Sequence, residues 1–290
     1  MRAENKSAYS KCESITKQNA SNFYYAFRTL PTEKRLAIYA TYAFCRLCDD
    51  IADGEQPVNQ KRKLLNQVRT DLLKKNSGTI SDPVFIALHD TISTFNIPIS
   101  YFEQLIDGVE MDLTIDHYSN FEDLRKYCYK VASVVGLICI EIFSYSNPKA
   151  RSYAIDLGIG MQITNILRDI REDFSNGRIY LPMNELDQFR YSKHDLSSNI
   201  INEPFRNLLA FQIDRARSYF DSGINLIPLV SPNSRVCLSM LHGVYSKILD
   251  RIESNNYDIY TKRIGLKTSE KIFLMTKIWG LNIFKKTKLF

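Results

Sequence analysis

Glycine and proline are scarce, 11 and 9 residues in 290, and neither gathers into linkers, repeats or low-complexity tracts. That excludes a disordered or multi-linker chain and leaves one domain spanning 1–290. Sustained alternation of apolar and polar residues is also missing, which removes half-buried strands and makes the fold class all-α. No apolar run approaches the roughly 20 residues needed to span a bilayer. The four histidines (His89, His117, His194, His242) are dispersed. The six cysteines sit mostly in apolar segments, and the Cys45-x-x-Cys48 pair has no second ligand pair, so a zinc site is not expected. The N-terminal residues carry no signal-type apolar core, which points to reduced thiols in the cytoplasm. A net charge of +6 without a basic stripe interleaved with aromatics argues against nucleic acid. It leaves an anionic substrate or an anionic membrane surface as compatible partners.

What is present is helical. Long apolar stretches, broken at Leu30-Pro31, Asn96-Ile97-Pro98, Ser146-Asn147-Pro148, Ser175-Asn176-Gly177 and Ser231-Pro232-Asn233, predict helices at 8–19, 21–29, 32–53, 58–75, 82–95, 99–112, 121–145, 148–174, 204–228, 232–254 and 267–284. Thr32 after Pro31 and Asp82 before Pro83 are expected caps. The segment 267–290 mixes Ile272, Phe273, Met275, Ile278, Trp279 and Phe284 with lysines. It reads as an amphipathic C-terminal helix, favoured as a last core helix over one lying on a membrane.

At CRLCDDIADG, acidic residues crowd the end of an apolar helix. At 100° per residue, Tyr42, Arg46, Asp49 and Asp53 share one face within about 60°. The remaining faces carry Leu36, Ile38, Tyr39, Phe44, Leu47 and Ile51, so the helix belongs inside the protein and its acidic face looks into a cavity. Aspartates at a helix C-terminus oppose the macrodipole, and a like-charged i,i+4 pair repels, so stability alone does not select them. On this helix alone, a solvated helix end is an equal alternative.

A second segment, GIGMQITNILRDIREDFSNGRIYLP, repeats the arrangement: Gln162, Asn165, Asp169 and Asp173 share a face within about 80° on another apolar helix. Facing carboxylate pairs in a low-dielectric pocket call for cations between them. All-oxygen ligation suits Mg²⁺, with Mn²⁺ as a substitute, and Mg²⁺ completes its shell with water and phosphate oxygens. The implied ligand is a diphosphate. Arg46 and Arg168 either contact its oxygens or pair with the neighbouring acids. No Glu-x-x-His motif of a di-iron bundle occurs.

The segments SNFYYAFRTLP (21–31), YATYAFCRLCDDIAD (39–53), YCYKVASVVG (127–136) and GIGMQITNILRDIREDFSNGRIYLP (158–182) closely resemble the squalene/phytoene synthase family of trans-prenyltransferases, over roughly residues 8–265 and in the family's order. The resemblance implies an isoprenoid-synthase helical bundle around a central cavity. In it, two prenyl diphosphates are joined head to head through a cyclopropylcarbinyl diphosphate. Carried over by position, Asp49, Asp53, Asp169 and Asp173 match the two metal-binding aspartate motifs. Tyr42, Arg46, Gln162, Asn165 and Arg168 match residues lining the same site, Tyr127 the cavity tyrosine, and Tyr245 the late-helix tyrosine near the diphosphates. Ala20, Ser21 and Asn22 depart from the serines that many members place before the first conserved Phe.

Phe23, Phe27, Tyr39, Val131 and Val135 are expected to wall the hydrocarbon cavity, where aromatic faces can stabilise a carbocation. Tyr42 and Tyr245 are candidates for proton relay or diphosphate orientation. Arg178 and Tyr180 are read as fixing the helix end, ahead of closing over the leaving group. Likeness of 251–264 to bacterial presqualene diphosphate synthases favours two farnesyl (C15) diphosphates and a C30 product, with phytoene from two C20 diphosphates as the alternative. NADPH is needed only if squalene is the end product. Chain elongation, cyclisation and a catalytically dead assembly factor are further readings. Nothing chooses between monomer and homodimer, and a greasy product makes peripheral membrane contact compatible.

Overall fold

In a computed structural model the protein is described over residues 3–20, 23–74 and 81–287, with side chains described within 5–278. The helices are α1 (Ala3–Asn19), α2 (Tyr24–Phe27), α3 (Thr32–Asp53), α4 (Val58–Leu73), α5 (Pro83–Phe95), α6 (Ile99–Met111), α7 (Phe121–Cys128), α8 (Val134–Phe143), α9 (Ala150–Ser175), α10 (Met183–Gln188), α11 (Lys193–Ser197), α12 (Glu203–Gly223), α13 (Arg235–Ser254) and α14 (Thr268–Thr287). The only β pairings among the described residues are isolated bridges, His117 with Ile179 and Tyr145 with Val230. The all-α expectation is met.

Helix α3 runs through the middle, packed on α1, α5, α6 and α8, and buries Ile38, Tyr39 and Phe44 completely or nearly so. Burial of each such side chain contributes about 2 kcal/mol. Helix α9 is the second central element, lying against α12, α8 and α13. Asp82 caps α5 as expected, accepting from the Val84 N–H at 2.7 Å, with Pro83 in the first turn. Thr32 does not cap α3: Pro31 occupies that position and no side chain bonds the free N–H groups. The short helices α10 and α11 were not expected, because six and five residues give too little period to read; Ser192 and Asp195 form a capping box for α11.

The expected single helix 121–145 is interrupted by a π-helical turn, Tyr129–Ser133. The cause is close approach from two sides. A Cβ on Gly158 of α9 would fall 2.6 Å from Ser133 Cα, and one on Gly108 of α6 would fall 2.8 Å from Val131 Cγ1. The wider turn lets the backbone bulge between two glycine-faced helices, and Ser133 Oγ–H ties it to the Ile155 carbonyl at 2.8 Å. Helix α14 packs on α13, with Leu274 over Gly243 and Arg251 paired to Glu270. Its outer face shows Ile272 and Phe273. The side chains of Trp279 and Phe284, and residues 288–290 of the tail, lie outside the described residues. No described helix is long and apolar enough to cross a membrane. All six cysteines are free thiols.

Candidate active site

The inner faces of α2, α3, α8, α9 and α13, with the π turn, enclose a cavity of about 280 Å³. Of the expected residues, Phe23, Phe27, Tyr42, Asp49, Val131, Val135, Gln162, Asn165 and Tyr245 line it. Tyr39 does not: it is fully buried behind the wall, stacked on Tyr24, and its hydroxyl has no partner. Tyr127 does not line it either. Arg46 turns to Asp50 one helical turn on, an ion pair near the surface.

Asp49 stands at the polar end of the cavity, and the two acidic walls are bridged beside it by Arg178, which bonds Asp53 and acts on Asp173. Asp49 is exposed on its cavity side yet enclosed by protein beyond it. Desolvation, then the Asp53 charge, push its carboxyl up to about 7, against a smaller opposing pull from Arg46. On α9, burial and then Asp169 push Asp173 up to about 8, only partly offset by Arg178. The other member of each pair is neutralised. Asp53 accepts from Arg178 at 3.2 Å. Asp169 is clamped by Arg168, whose Nε–H donates at 2.9 Å, and by Arg263, whose Nε–H donates at 3.0 Å.

Arg178 arrives there because of the turn that ends α9. Gly177 takes φ +77°, the left-handed conformation glycine adopts without strain, and the Arg178 N–H then bonds back to the Asp173 carbonyl at 2.9 Å. The reversal aims the guanidinium at Asp53, Asp112 and Asp173. The following residue, Ile179, bonds the Asp116 carbonyl at 2.7 Å and fixes the segment after α6 alongside.

Asp112, at the end of α6, was missed in the sequence and is the fifth acid of the cluster. Its carboxylate accepts from Tyr180 at 2.7 Å and Tyr127 at 2.9 Å, and burial raises its pKa against the pull of Arg178 and both hydroxyls. It acts on both Asp49 and Asp173, so it stands between the walls. The signal was available: an aspartate closing an apolar helix, as in the other two clusters. Tyr127 and Tyr180 stack at 5.1 Å and both donate to this acid; Tyr180 is also packed, buried, on Tyr118, while Tyr127 does not line the cavity as expected.

Behind Tyr245 lies a second cavity of about 380 Å³, lined by Phe23, Asn165, Tyr245, Arg168, Arg263 and Lys271 among others. Its cationic side chains adjoin the acids, Arg168 and Arg263 both donating to Asp169. Tyr42 and Tyr245 are both pushed up to about 12, chiefly by burial, and stay neutral hydroxyls at physiological pH. Among the described residues no three His, Cys, Asp or Glu side chains converge as a metal site; arginines hold the acids instead. The donor set nevertheless suits a hard cation. It offers carboxylates only, two of them uncompensated, and the Asn165 Oδ1 is buried without a partner. Mg²⁺ needs one or two carboxylates, with water and phosphate completing its shell.

The Squalene/phytoene synthase profile matches residues 16–270. The chain is 38% identical over 279 residues to the 15-cis-phytoene synthase of Synechococcus elongatus, covering 91% of this chain and 90% of that protein. It is 40% identical over 267 residues to the phytoene synthase of Mycobacterium tuberculosis, covering 91% and 88%. Its fold matches the crystal structure of a dehydrosqualene synthase with a TM-score of 0.86 at 29% identity, over 96% of this chain and 97% of that one. The profile match over most of the chain, with relatives at 38% and 40% identity that each cover 91% of it, establishes that the protein belongs to the squalene/phytoene synthase family of prenyltransferases.

Proposed function

We propose that the protein joins two C20 allylic diphosphates head to head, with Mg²⁺, into a C40 product of the phytoene type. The observation that carries the chemistry is the pair of acidic walls, each with one uncompensated carboxylate, at the mouth of an apolar cavity. The C20 choice rests on relatives named phytoene synthase at 38% and 40% identity. They outweigh the likeness of 251–264 that favoured C15 substrates.

Asp49, Asp53, Asp169 and Asp173 are the residues that would hold Mg²⁺, or Mn²⁺, which would supply Lewis acidity toward the leaving diphosphate. The chain's own groups do the rest. Arg168 and Arg263 face the second cavity with planar forks suited to bidentate phosphate contact. Neutral Tyr42 and Tyr245 hydroxyls donate to diphosphate oxygens; as phenols with pKa near 12 they are poor bases at pH 7.

When the C–O bond of one substrate breaks, the electron pair leaves with diphosphate and an allylic cation remains. The second substrate's double bond captures it, and loss of a proton closes a cyclopropane. Phe23, Phe27, Val131 and Val135 exclude water from that cation, and the aromatic faces stabilise it. Rearrangement, departure of the second diphosphate and a final proton loss give the C40 product without a hydride donor, so the route does not call on NADPH.

Incubation of the purified protein with Mg²⁺ and C20 diphosphate alone is expected to release two diphosphates per C40 hydrocarbon, read by mass spectrometry and a phosphate assay. Turnover of the C15 diphosphate with none of the C20 would overturn the substrate assignment.

A further inference from the structure

The cavity has a depth axis that its lining spells out. On α3 the lining residues descend from Asp49 through Cys45 to Ile38, and on α13 from Tyr245 to Leu238. From the π turn through α8 they descend from Val131 to Phe143, and on α9 from Asn165 to Ala154, about 16 Å of helix rise. The floor is where these rows end, and Phe143, 1% exposed, is the side chain that closes the α8 row there.

One turn beneath Ile38 stands Lys34. Its Nζ donates to the Phe143 carbonyl at 2.7 Å, Ser231 Oγ at 2.7 Å, Asn233 Oδ1 at 3.1 Å and Ser234 Oγ at 3.2 Å. All four acceptors are neutral oxygens. Ser231 Oγ–H in turn bonds the Phe143 carbonyl at 2.5 Å. One ammonium therefore joins the start of α3, the C-terminal end of α8 and the turn that opens α13, three of the elements whose lining rows converge on the floor. A lysine set among carbonyl and hydroxyl oxygens loses hydration, which the charge-assisted bonds and the negative end of the α8 dipole offset. A role confined to capping α8 requires only the Phe143 carbonyl; the three further contacts fix that carbonyl relative to α13.

Taking the head-to-head condensation as the reaction, we propose that Phe143 is the side chain that stops the prenyl tail and that Lys34 is the positioning residue that holds it at that depth. Together they set the longest allylic diphosphate the enzyme accepts. Truncating the ring extends the cavity downward by the volume removed. Releasing Lys34 leaves the ring in place but frees the end of α8 to give way beneath a longer tail.

The test is kcat/KM for C15, C20 and C25 allylic diphosphates with Mg²⁺, for the wild type, Phe143→Ala, Lys34→Met and Lys34→Arg. Phe143→Ala is expected to raise the C25 to C20 ratio by about tenfold or more, the scale of discrimination a hydrophobic pocket exerts on chain length. Lys34→Met should move the ratio the same way by a smaller factor, about threefold on the same scale, and Lys34→Arg should stay nearer the wild type. Ratios unchanged in both Phe143→Ala and Lys34→Met, or an equal loss for all three substrates, would overturn the proposal. If Lys34→Met does not melt cooperatively, Phe143→Leu and Ser231→Ala carry the same expectation and the same refutation. A wild type that turns over none of the three counts against the condensation itself. The floor is then read from melting-temperature shifts with the same diphosphates, where Phe143→Ala must favour the longer tail or the proposal fails.

Discussion

The two acidic walls share a spacing and differ in what surrounds them. On α3, Asp53 is held by one guanidinium, Arg178, which reaches over from the turn after α9. On α9, Asp169 is held by two, Arg168 from its own helix and Arg263 from the segment before α14. In each wall the other acid, Asp49 or Asp173, lacks sufficient positive charge and is pushed up to about 7 or 8 by burial and by its neighbour. The i,i+4 spacing supplies a pair on each side; the arginines then divide each pair into a neutralised and an unneutralised member. Cation binding gains most at the unneutralised ones, and the arginines are the groups that can exchange a carboxylate for a phosphate.

The comparison breaks most severely if the unneutralised acids are removed. Asp49→Asn and Asp173→Asn should each lower kcat by about 10²–10³, the scale of losing one electrostatic stabiliser of a transition state, while Asp50→Asn on the neighbouring face should not. Steady-state kinetics with the C20 diphosphate decides.

The arginines sharpen it next. Arg263→Gln is expected to raise KM about tenfold or more, as loss of a charge-assisted contact of about 1.5–3 kcal/mol implies. Because Arg168 still serves Asp169, the same change should leave the melting temperature nearly unaltered. Arg178→Gln removes the cation that Asp53, Asp112 and Asp173 share, and should lower the melting temperature of the metal-free protein as well as activity.

A pH series separates the walls from the rest of the protein. Asp49 and Asp173 have folded-state pKa values above the ordinary carboxylate range, so the metal-free fold keeps protons that the unfolded chain releases above about pH 4. That contribution to stability is full below the unfolded value and is lost as pH rises through about 7 to 8. The melting temperature of the metal-free protein should therefore fall from about pH 4 to about pH 8 and level off above that, and the increase on adding Mg²⁺ should grow over the same interval. Scanning fluorimetry with and without EDTA reads both.

The smallest effect lies in the wall rather than the mouth. Tyr39→Phe removes a buried hydroxyl that has no partner, so it should stabilise the protein by about 1 kcal/mol without altering substrate choice. Denaturant melts check it.

Most of the polar site was legible because it is local: four aspartates at helical spacing on two apolar helices place themselves. What escaped is long-range or made of single residues. Asp112 is a lone acid whose importance depends on Tyr127 and Tyr180 reaching it from elsewhere in the chain. Arg263 stands 94 residues from the aspartate it clamps. The π turn depends on Gly108 and Gly158 pressing from two other helices, and no pattern within 121–145 announces it. Tyr39 was misplaced by a helix face that is apolar on nearly every side: periodicity put it inside and could not say whether inside meant wall or core.

The central claim is that the two walls bind diphosphate through divalent metal shared between them. Mn²⁺ binding followed by electron paramagnetic resonance, with and without inorganic diphosphate, tests it most directly. The account predicts that diphosphate strengthens Mn²⁺ binding in the wild type and that Asp49→Asn combined with Asp173→Asn abolishes the strengthening. Equal Mn²⁺ binding in both proteins, unaffected by diphosphate, would contradict it.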